Sequence, residues 1–375
     1  MPLYLNDEQT MLRDTAKDFV GENAPVSHMR KLRDDKDATG FSRDLWKQFA
    51  EMGFTGILIG EDAGGLGLGH VEAGVVLEEI GRNLSPSPFL ATAVAAVEAL
   101  KGTAQAQRWF PGIIAGEAVA ALAIDEGAKH RNAVAMKAER SGNGFKLTGS
   151  KQFVTHGHVA DLLIVAARTA GAPDDENGVT LFAVPKNAAK LTATPELLAD
   201  ASLAARIEFD GVEVDADAVI GEVDAGRDPL GRLLRAGRTG AAAEMLGVGG
   251  GAMDMTVGYL KERKQFGTLI GSFQALQHRA AHLYSEMEVA RAAVLKAQQL
   301  LDAGDDKADA AVSVAKAMTG LATTLAVQEG VQMHGGIGMT DEYDIGFYMK
   351  RGRVLAEMFG DANFHADLLA KASGY

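Results

Sequence analysis

Two short segments in the last third of the chain set a cation, amides and glycines side by side. In Glu262-Arg-Lys-Gln-Phe-Gly267, followed by Gly271-Ser-Phe-Gln274, Arg263 stands among Gln265, Phe266 and Gln274; in Gln332-Met-His-Gly-Gly-Ile-Gly338, Gln332 precedes Gly335 and Gly336. A guanidinium is a planar fork of permanent donors, and adjacent glycines let backbone N–H groups approach a ligand, so the pattern suits an anion of the pyrophosphate kind. Arg263 also fits a simpler reading, a solvated cation favoured by the dipole at a helix end. Carboxylates form the second group. Glu244, in Ala241-Ala-Ala-Glu-Met-Leu246, is an acid in an otherwise apolar stretch, and burial of that kind moves carboxylic acids toward the range of a general base. It equally fits a paired structural acid. Asp361, before Ala-Asn-Phe-His365, is placed for chemistry or to cap the last helix.

The chain that must position these groups has 375 residues, 47% hydrophobic and 23% charged, with no cysteine. At roughly 100–200 residues per domain, two or three domains are expected. Disulfides and thiolate metal sites are excluded, no metal site is expected, and the cytoplasm is the default compartment. The start, Met1-Pro-Leu-Tyr-Leu-Asn-Asp-Glu8, has no basic region followed by an apolar stretch, so no signal or transit peptide is expected. Apolar runs such as 91–99 are too short to span a bilayer. Lys and Arg number 37 against 50 Asp and Glu, a net charge of −13; this disfavours non-specific binding of nucleic acid and obliges an anionic ligand to find a local basic site.

Asn6 and Gln9 have the spacing of a capping box, with Leu12, Ala16 and Phe19 following at helical period. Helices are predicted over 42–52, 70–80 and 91–100, with the glycine cluster of 61–69 as a connecting loop, since it follows no long strand and precedes no βαβ unit. The period then falls to two, predicting strands at 133–139, 145–149, 161–167, 180–185 and 205–214. Helical periodicity returns over 228–263, 272–302, 306–334 and 342–371, each expected as one helix of more than twenty residues. Gly249-Gly-Gly251, inside the first of these, implies close approach of a neighbouring helix or a ligand. The order predicts a mainly α protein with an inserted β domain: helical domain 1–118, β domain 119–223, helical bundle 224–375.

These segments resemble the acyl-CoA dehydrogenase family over essentially the whole chain. The Arg263 and Gln332 segments carry the resemblance, supported by Leu147-Thr-Gly-Ser-Lys-Gln-Phe-Val-Thr-His156 and Ile59-Gly-Glu-Asp-Ala-Gly-Gly-Leu-Gly-Leu-Gly69. The resemblance implies an N-terminal helical domain, a barrel-like β domain and a C-terminal four-helix bundle. It also implies FAD held between subunits of a dimer or tetramer. Arg263, Gln265, Phe266, Gln274, Gln332, Gly335 and Gly336 would grip its pyrophosphate and adenine end. Phe153, Val154 and Thr155 would lie against its flavin ring. The implied reaction removes the α-proton of an acyl-CoA thioester and passes the β-hydride to the flavin, in fatty-acid or steroid side-chain β-oxidation, with an external electron-transfer flavoprotein as acceptor.

The sequence departs from the family in two places. Where Thr-Glu-Pro-x-x-Gly-Ser-Asp is usual, this chain has Ala123-Ile-Asp-Glu-Gly-Ala-Lys-His-Arg131; the flavin-side hydroxyl is lost, and His130, with Lys129 and Arg131, becomes a candidate for the CoA phosphates or a surface decoration. The usual base, a Glu near the C-terminus, falls on Phe359. The alternative base position falls on Gly237, beside Arg238, a candidate substrate residue. Glu244 and Asp361 remain as candidate bases. The Phe359-Gly-Asp361 ending resembles a bacterial subset that includes heterotetrameric steroid side-chain dehydrogenases, so a homologous partner subunit and a homo-oligomer both stand. Rival readings are an incomplete subunit sharing flavin with its partner, oxidase or monooxygenase chemistry on the same fold, and a scaffold without flavin.

Overall fold

The capping box predicted from Asn6 and Gln9 opens α1 (Asp7–Asn23): Gln9 N donates to Asn6 Oδ1 at 2.8 Å and Asn6 N to Gln9 Oε1 at 3.0 Å. The computed structural model describes residues 2–127 and 133–375. α2 (Val26–Asp34), α3 (Arg43–Glu51) and α4 (His70–Arg82) follow, then a π-helical turn (Leu90–Ala96) running into α5 (Val97–Leu100), and α6 (Ala104–Ile114). The glycine cluster is a loop, as expected: the N–H groups of Leu66, Gly67 and Leu68 return to the carbonyls of Gly56, Ile59 and Ile57.

Eight strands then form one mixed sheet. They are β1 (Ala120–Ala123), β2 (Lys137–Ser141), β3 (Gly144–Thr155), β4 (Leu162–Arg168), β5 (Val179–Pro185), β6 (Leu191–Leu197), β7 (Leu203–Val214) and β8 (Val219–Ile220). Their order is β6-β7-β3-β2-β4-β5-β8, with β1 parallel to β4. Alternation located five of them, although the stretch 133–139 becomes strand only from Lys137. β1 and β8 are too short to show a period, and β6 is a largely exposed edge strand that tolerates Pro195.

The remaining elements are α7 (Arg227–Glu262), the hairpin β9 (Lys264–Gln265) and β10 (Thr268–Leu269), α8 (Gln274–Asp302), α9 (Ala308–His334), α10 (Ile345–Glu357) and α11 (Ala362–Ala372). The single helix expected over 342–371 is two. The chain breaks at Phe359 and Gly360, whose φ values of 59° and 109° lie outside the helical region, and Asp361 caps the new start. Apolar periodicity continues across this break, so the period alone did not reveal it.

The chain divides into two compact units. One comprises Met1–Lys31, Gly69–Pro86 and Arg238–Tyr375; the other comprises Leu32–Leu68 and Ser87–Gly237 and contains the sheet. In the first, Met245, Val248, Val327, Ile345, Phe347, Tyr348 and Leu355 form a core. The glycines of α7 serve packing there. A Cβ at Gly247 would run into the Glu78 carbonyl of α4, one at Gly249 would meet Met287 Cε at 2.6 Å, and one at Gly251 would meet Tyr348 Cε1 at 2.6 Å. α9 is long and apolar enough to cross a membrane by length and composition alone; its faces pack on α8, α10 and α11.

Candidate active site

In the sheet-containing unit, Phe153, Val154 and Thr155 end β3 at a bulge. Lys151 pairs with Ile207 and Val154 with Ala205, so two β3 residues oppose one on β7. Phe153 takes the extra place at φ 56° and is 45% exposed, unusual for a large apolar residue at a left-handed position. Val154 is fully buried in the sheet, and Thr155 is half-buried. Phe153 and Thr155 therefore present side-chain surface, and Val154 anchors them.

A pair that sequence reasoning did not single out lies just behind. Lys151 is fully buried and its Nζ donates to Glu126 Oε1 at 2.6 Å, while Glu126 also accepts from the N–H groups of Ala135 at 2.8 Å and Met136 at 3.1 Å. Burial pulls the Lys151 amine below its ordinary range, against the opposing pull of Glu126. Lys129, His130 and Arg131 lie outside the described residues.

In the helical unit, the segment after α7 turns on Phe266 and Gly267, at φ 53° and 79°, between paired Gln265 and Thr268. Positive φ at both central residues is the two-residue hairpin geometry that matches strand twist. Phe266 is 93% exposed at its tip, meeting only the edge of Phe273 (6.3 Å between centroids). Arg263 and Gln265 are exposed on the same hairpin, and Gln274 is exposed at the first turn of α8, where N–H groups are unsatisfied. Among the described residues Arg263 has no carboxylate within ion-pair distance.

The end of α9 packs against the end of α7 through stacked rings: Tyr259 lies 4.5 Å from His334, which lies 4.8 Å from Tyr343. Arg263, one turn beyond Tyr259, and Gln332, Gly335 and Gly336, around His334, therefore belong to neighbouring helix ends. Gln332, Gly335 and Gly336 are exposed. Gly335 needs its φ of 65°; at Gly336, and equally at Gly335, a Cβ would meet nothing within 4 Å. No packing among the described residues demands Gly336, and the space before it is open. His334 is buried, and its Nδ1 lies 2.7 Å from the Gly330 carbonyl. A carbonyl only accepts, so Nδ1 carries the proton and Nε2, which has no partner among the described residues, is a bare acceptor. Burial holds this imidazole below its ordinary pKa.

The candidate bases are both engaged. Glu244, 2% exposed, accepts from Nε of Arg351 at 3.0 Å and from its Nη2, both at Oε1. Asp361 Oδ1 accepts from Phe364 N at 2.7 Å and so caps α11. Phe359 stands half-buried in the turn between α10 and α11, and its carbonyl accepts from Arg238 Nε at 3.3 Å. Burial lowers the Arg238 pKa to about 10 despite the attraction of Asp309, and its guanidinium lies 5.7 Å from the Phe364 ring centroid.

Residues 6–117, 122–212 and 225–374 match, in order, the N-terminal, middle and C-terminal domains of acyl-CoA dehydrogenase. The chain belongs to the acyl-CoA dehydrogenase family. Its family members are oxidoreductases acting on CH–CH groups, with FAD as cofactor. Acyl-CoA dehydrogenase FadE12 of Mycobacterium tuberculosis is 31% identical over 362 residues, covering 93% of this chain and 91% of the relative. Among solved structures, a variant of the Tcur3481-Tcur3483 steroid ACAD aligns with a TM-score of 0.88 at 30% identity, covering 98% of each chain. The ChsE4-ChsE5 complex from Mycobacterium tuberculosis aligns with a TM-score of 0.90 at 25% identity over the full length of both. The acyl-CoA dehydrogenase fold expected from the sequence is the fold observed. Each unit by itself carries residues that fit FAD: in the helical unit an exposed Arg263 without an acidic partner among the described residues, open space before Gly335 and Gly336, and Phe266 displayed on left-handed backbone; in the sheet-containing unit Phe153, displayed likewise.

Proposed function

We propose that this chain is a subunit of an FAD-dependent acyl-CoA dehydrogenase that desaturates the α,β bond of an acyl-CoA thioester, in a heteromer whose homologous partner supplies the base. The observation that carries the proposal is the state of the acids: Phe359 occupies the turn where a carboxylate is usual, Glu244 is forked by Arg351, and Asp361 caps a helix. A base must have an oxygen free for the substrate proton. Each candidate has one oxygen committed to the fold, Glu244 Oε1 to Arg351 and Asp361 Oδ1 to the Phe364 N–H, and these structural roles account for both acids. The likeness to the Tcur3481-Tcur3483 steroid ACAD and the ChsE4-ChsE5 complex supports pairing with an unlike subunit and a bulky acyl group.

In this reading Arg263 neutralises the pyrophosphate of FAD, the hairpin amides and Gln274 orient it, and the backbone of Gly335 and Gly336 approaches it with Gln332 alongside. Phe153 would supply an aromatic face, and Thr155 a hydroxyl, to the flavin. When bound, FAD supplies the two-electron acceptor for the β-hydride. Arg238 adds positive charge beside Phe359 for the anionic substrate. The ring of Phe359 excludes water from that face without removing a proton. Electrons leave to an external electron-transfer flavoprotein.

The test is to purify the chain alone and with a co-expressed homologue, recording visible absorption with in-line light scattering, and to repeat both with Phe359→Glu. The proposal expects flavin to be bleached by acyl-CoA only in the heteromer, or in the Phe359→Glu chain that regains a carboxylate. Rapid bleaching by the unmodified chain as a homo-oligomer would overturn the heteromeric reading. Absence of flavin from every preparation would overturn FAD dependence.

A further inference from the structure

α9 buries an amine in an apolar setting. Lys316, in Val312-Ser-Val-Ala-Lys-Ala-Met318, is 1% exposed, and no carboxylate among the described residues lies within ion-pair distance of it. Its Nζ instead donates to two backbone carbonyls, Ala356 at 3.0 Å and Gly360 at 2.9 Å. Ala356 lies in the last turn of α10, where carbonyls have no partner within the helix. Gly360 lies beyond the break. The two carbonyls bracket Phe359.

The Phe359 carbonyl is taken by different donors, Arg238 of α7 at 3.3 Å and His365 of α11, whose Nε2 lies 3.2 Å away. Three side chains from three helices thus hold three carbonyls within five residues. Between them Phe359 and Gly360 keep φ values of 59° and 109°. A left-handed phenylalanine is unfavourable, and an ammonium buried without a carboxylate is costly as well. These costs persist only where the surroundings over-determine the conformation. Burial, with a push from Arg238 and against the pull of Glu357 and Asp361, brings the Lys316 amine down to about 7. A neutral amine keeps two N–H groups, matching the two carbonyls.

We infer that Lys316 is a positioning residue: by bridging the Ala356 and Gly360 carbonyls it fixes the left-handed turn that presents Phe359, and so fixes the wall against which the α-carbon of the acyl thioester lies. The consequence for substrate rests on the proposed function; the bracing of the turn does not. Arg238 and His365 hold the neighbouring Phe359 carbonyl, so loss of Lys316 frees the Gly360 end first.

The experiment compares the flavin-loaded full chain, with its partner if one is required, as wild type and Lys316→Met. Amide hydrogen exchange is followed by mass spectrometry in peptides covering 354–366. Exchange there should rise at least tenfold in Lys316→Met, while peptides of α8 and β3 stay within twofold. If Lys316→Met fails to fold, Lys316→Gln, a shorter neutral donor, is measured in its place with the same expectation at reduced size. Unchanged exchange over 354–366, or an equal rise throughout the chain, overturns the inference. A second readout uses the Phe359→Glu background, where the turn carries a carboxylate: adding Lys316→Met should lower kcat at least tenfold with KM within threefold. Equal loss in both parameters, or none, counts against positioning. An inactive Phe359→Glu chain speaks against the proposed function alone, and exchange still decides the role of Lys316.

Discussion

Arg351 grips Glu244 through a single oxygen: Nε at 3.0 Å and Nη2 both point at Oε1, within a carboxylate that is almost wholly buried. A buried pair of this kind makes removal of one partner expensive, because the other charge is left behind. Glu244→Leu should lower the free energy of unfolding by about 3 kcal/mol, the lower end of the usual range because Arg351 keeps some solvent contact. Turnover per bound flavin in the assembled enzyme should be unchanged. Denaturant titration alongside steady-state rates checks both; a stable but inactive variant would restore Glu244 as the base.

Asp361 has a smaller task with a local reading. Its Oδ1 caps α11 through Phe364 N, and Asp361→Ala should cost about 1 kcal/mol. Asp361→Asn, which retains an accepting oxygen, should recover most of that. Thermal unfolding of the two variants side by side provides the comparison, and a loss common to both would point to the charge rather than the cap.

His334 buries an acceptor with no partner among the described residues, while its ring stacks on Tyr259. Phe keeps the stack and removes the orphaned nitrogen. Because Phe also gives up the Nδ1 bond to the Gly330 carbonyl, the two effects offset, and His334→Phe should leave stability within about 1 kcal/mol of wild type and flavin content intact. Scanning calorimetry tests this; a larger destabilisation would mean that Nε2 has a partner in the assembled protein.

Lys316 makes stability depend on pH with a defined sign. Its amine titrates near 7 in the folded chain against an ordinary 10.5, so between those values the unfolded state binds the proton that the folded state has released. Unfolding free energy contributed by this group rises with pH through that window, by up to about 1.4 kcal/mol per unit, and is lost as pH falls through 7. Lys316→Met removes the slope. Relative to wild type, the variant should lose stability steadily from pH 7 to 10, as read from urea midpoints; parallel curves would refute the shift.

Arg263 should matter to cofactor alone. Arg263→Lys loses the planar fork while keeping the charge, and FAD affinity should fall roughly tenfold to a hundredfold, the worth of a charge-assisted hydrogen bond. Dialysis followed by flavin absorbance measures the retention, with the helical circular dichroism unchanged. Full retention would return Arg263 to a surface cation.

Local chemistry made much of this protein legible in sequence. Asn6 and Gln9 announce α1 because a cap satisfies its neighbours within one turn, and the alternation of Arg206–Asp210 announces β7 because its pleat lies within one strand. The Arg263 and Gln332 segments identify the family because their residues act in short runs. The break after Glu357 was hidden, since apolar periodicity runs through it and α10 ends where Met358 turns extended and Phe359 and Gly360 take positive φ. The partners of the buried charges were hidden too: Arg351 lies 107 residues from Glu244, and the Gly360 carbonyl lies 44 from Lys316. Residue type and period report what a chain does within a turn or a strand. Which acid is neutralised, which amine is stripped of water and which peptide is held left-handed depend on atoms brought from distant positions, and those contacts exist only once the helices have packed.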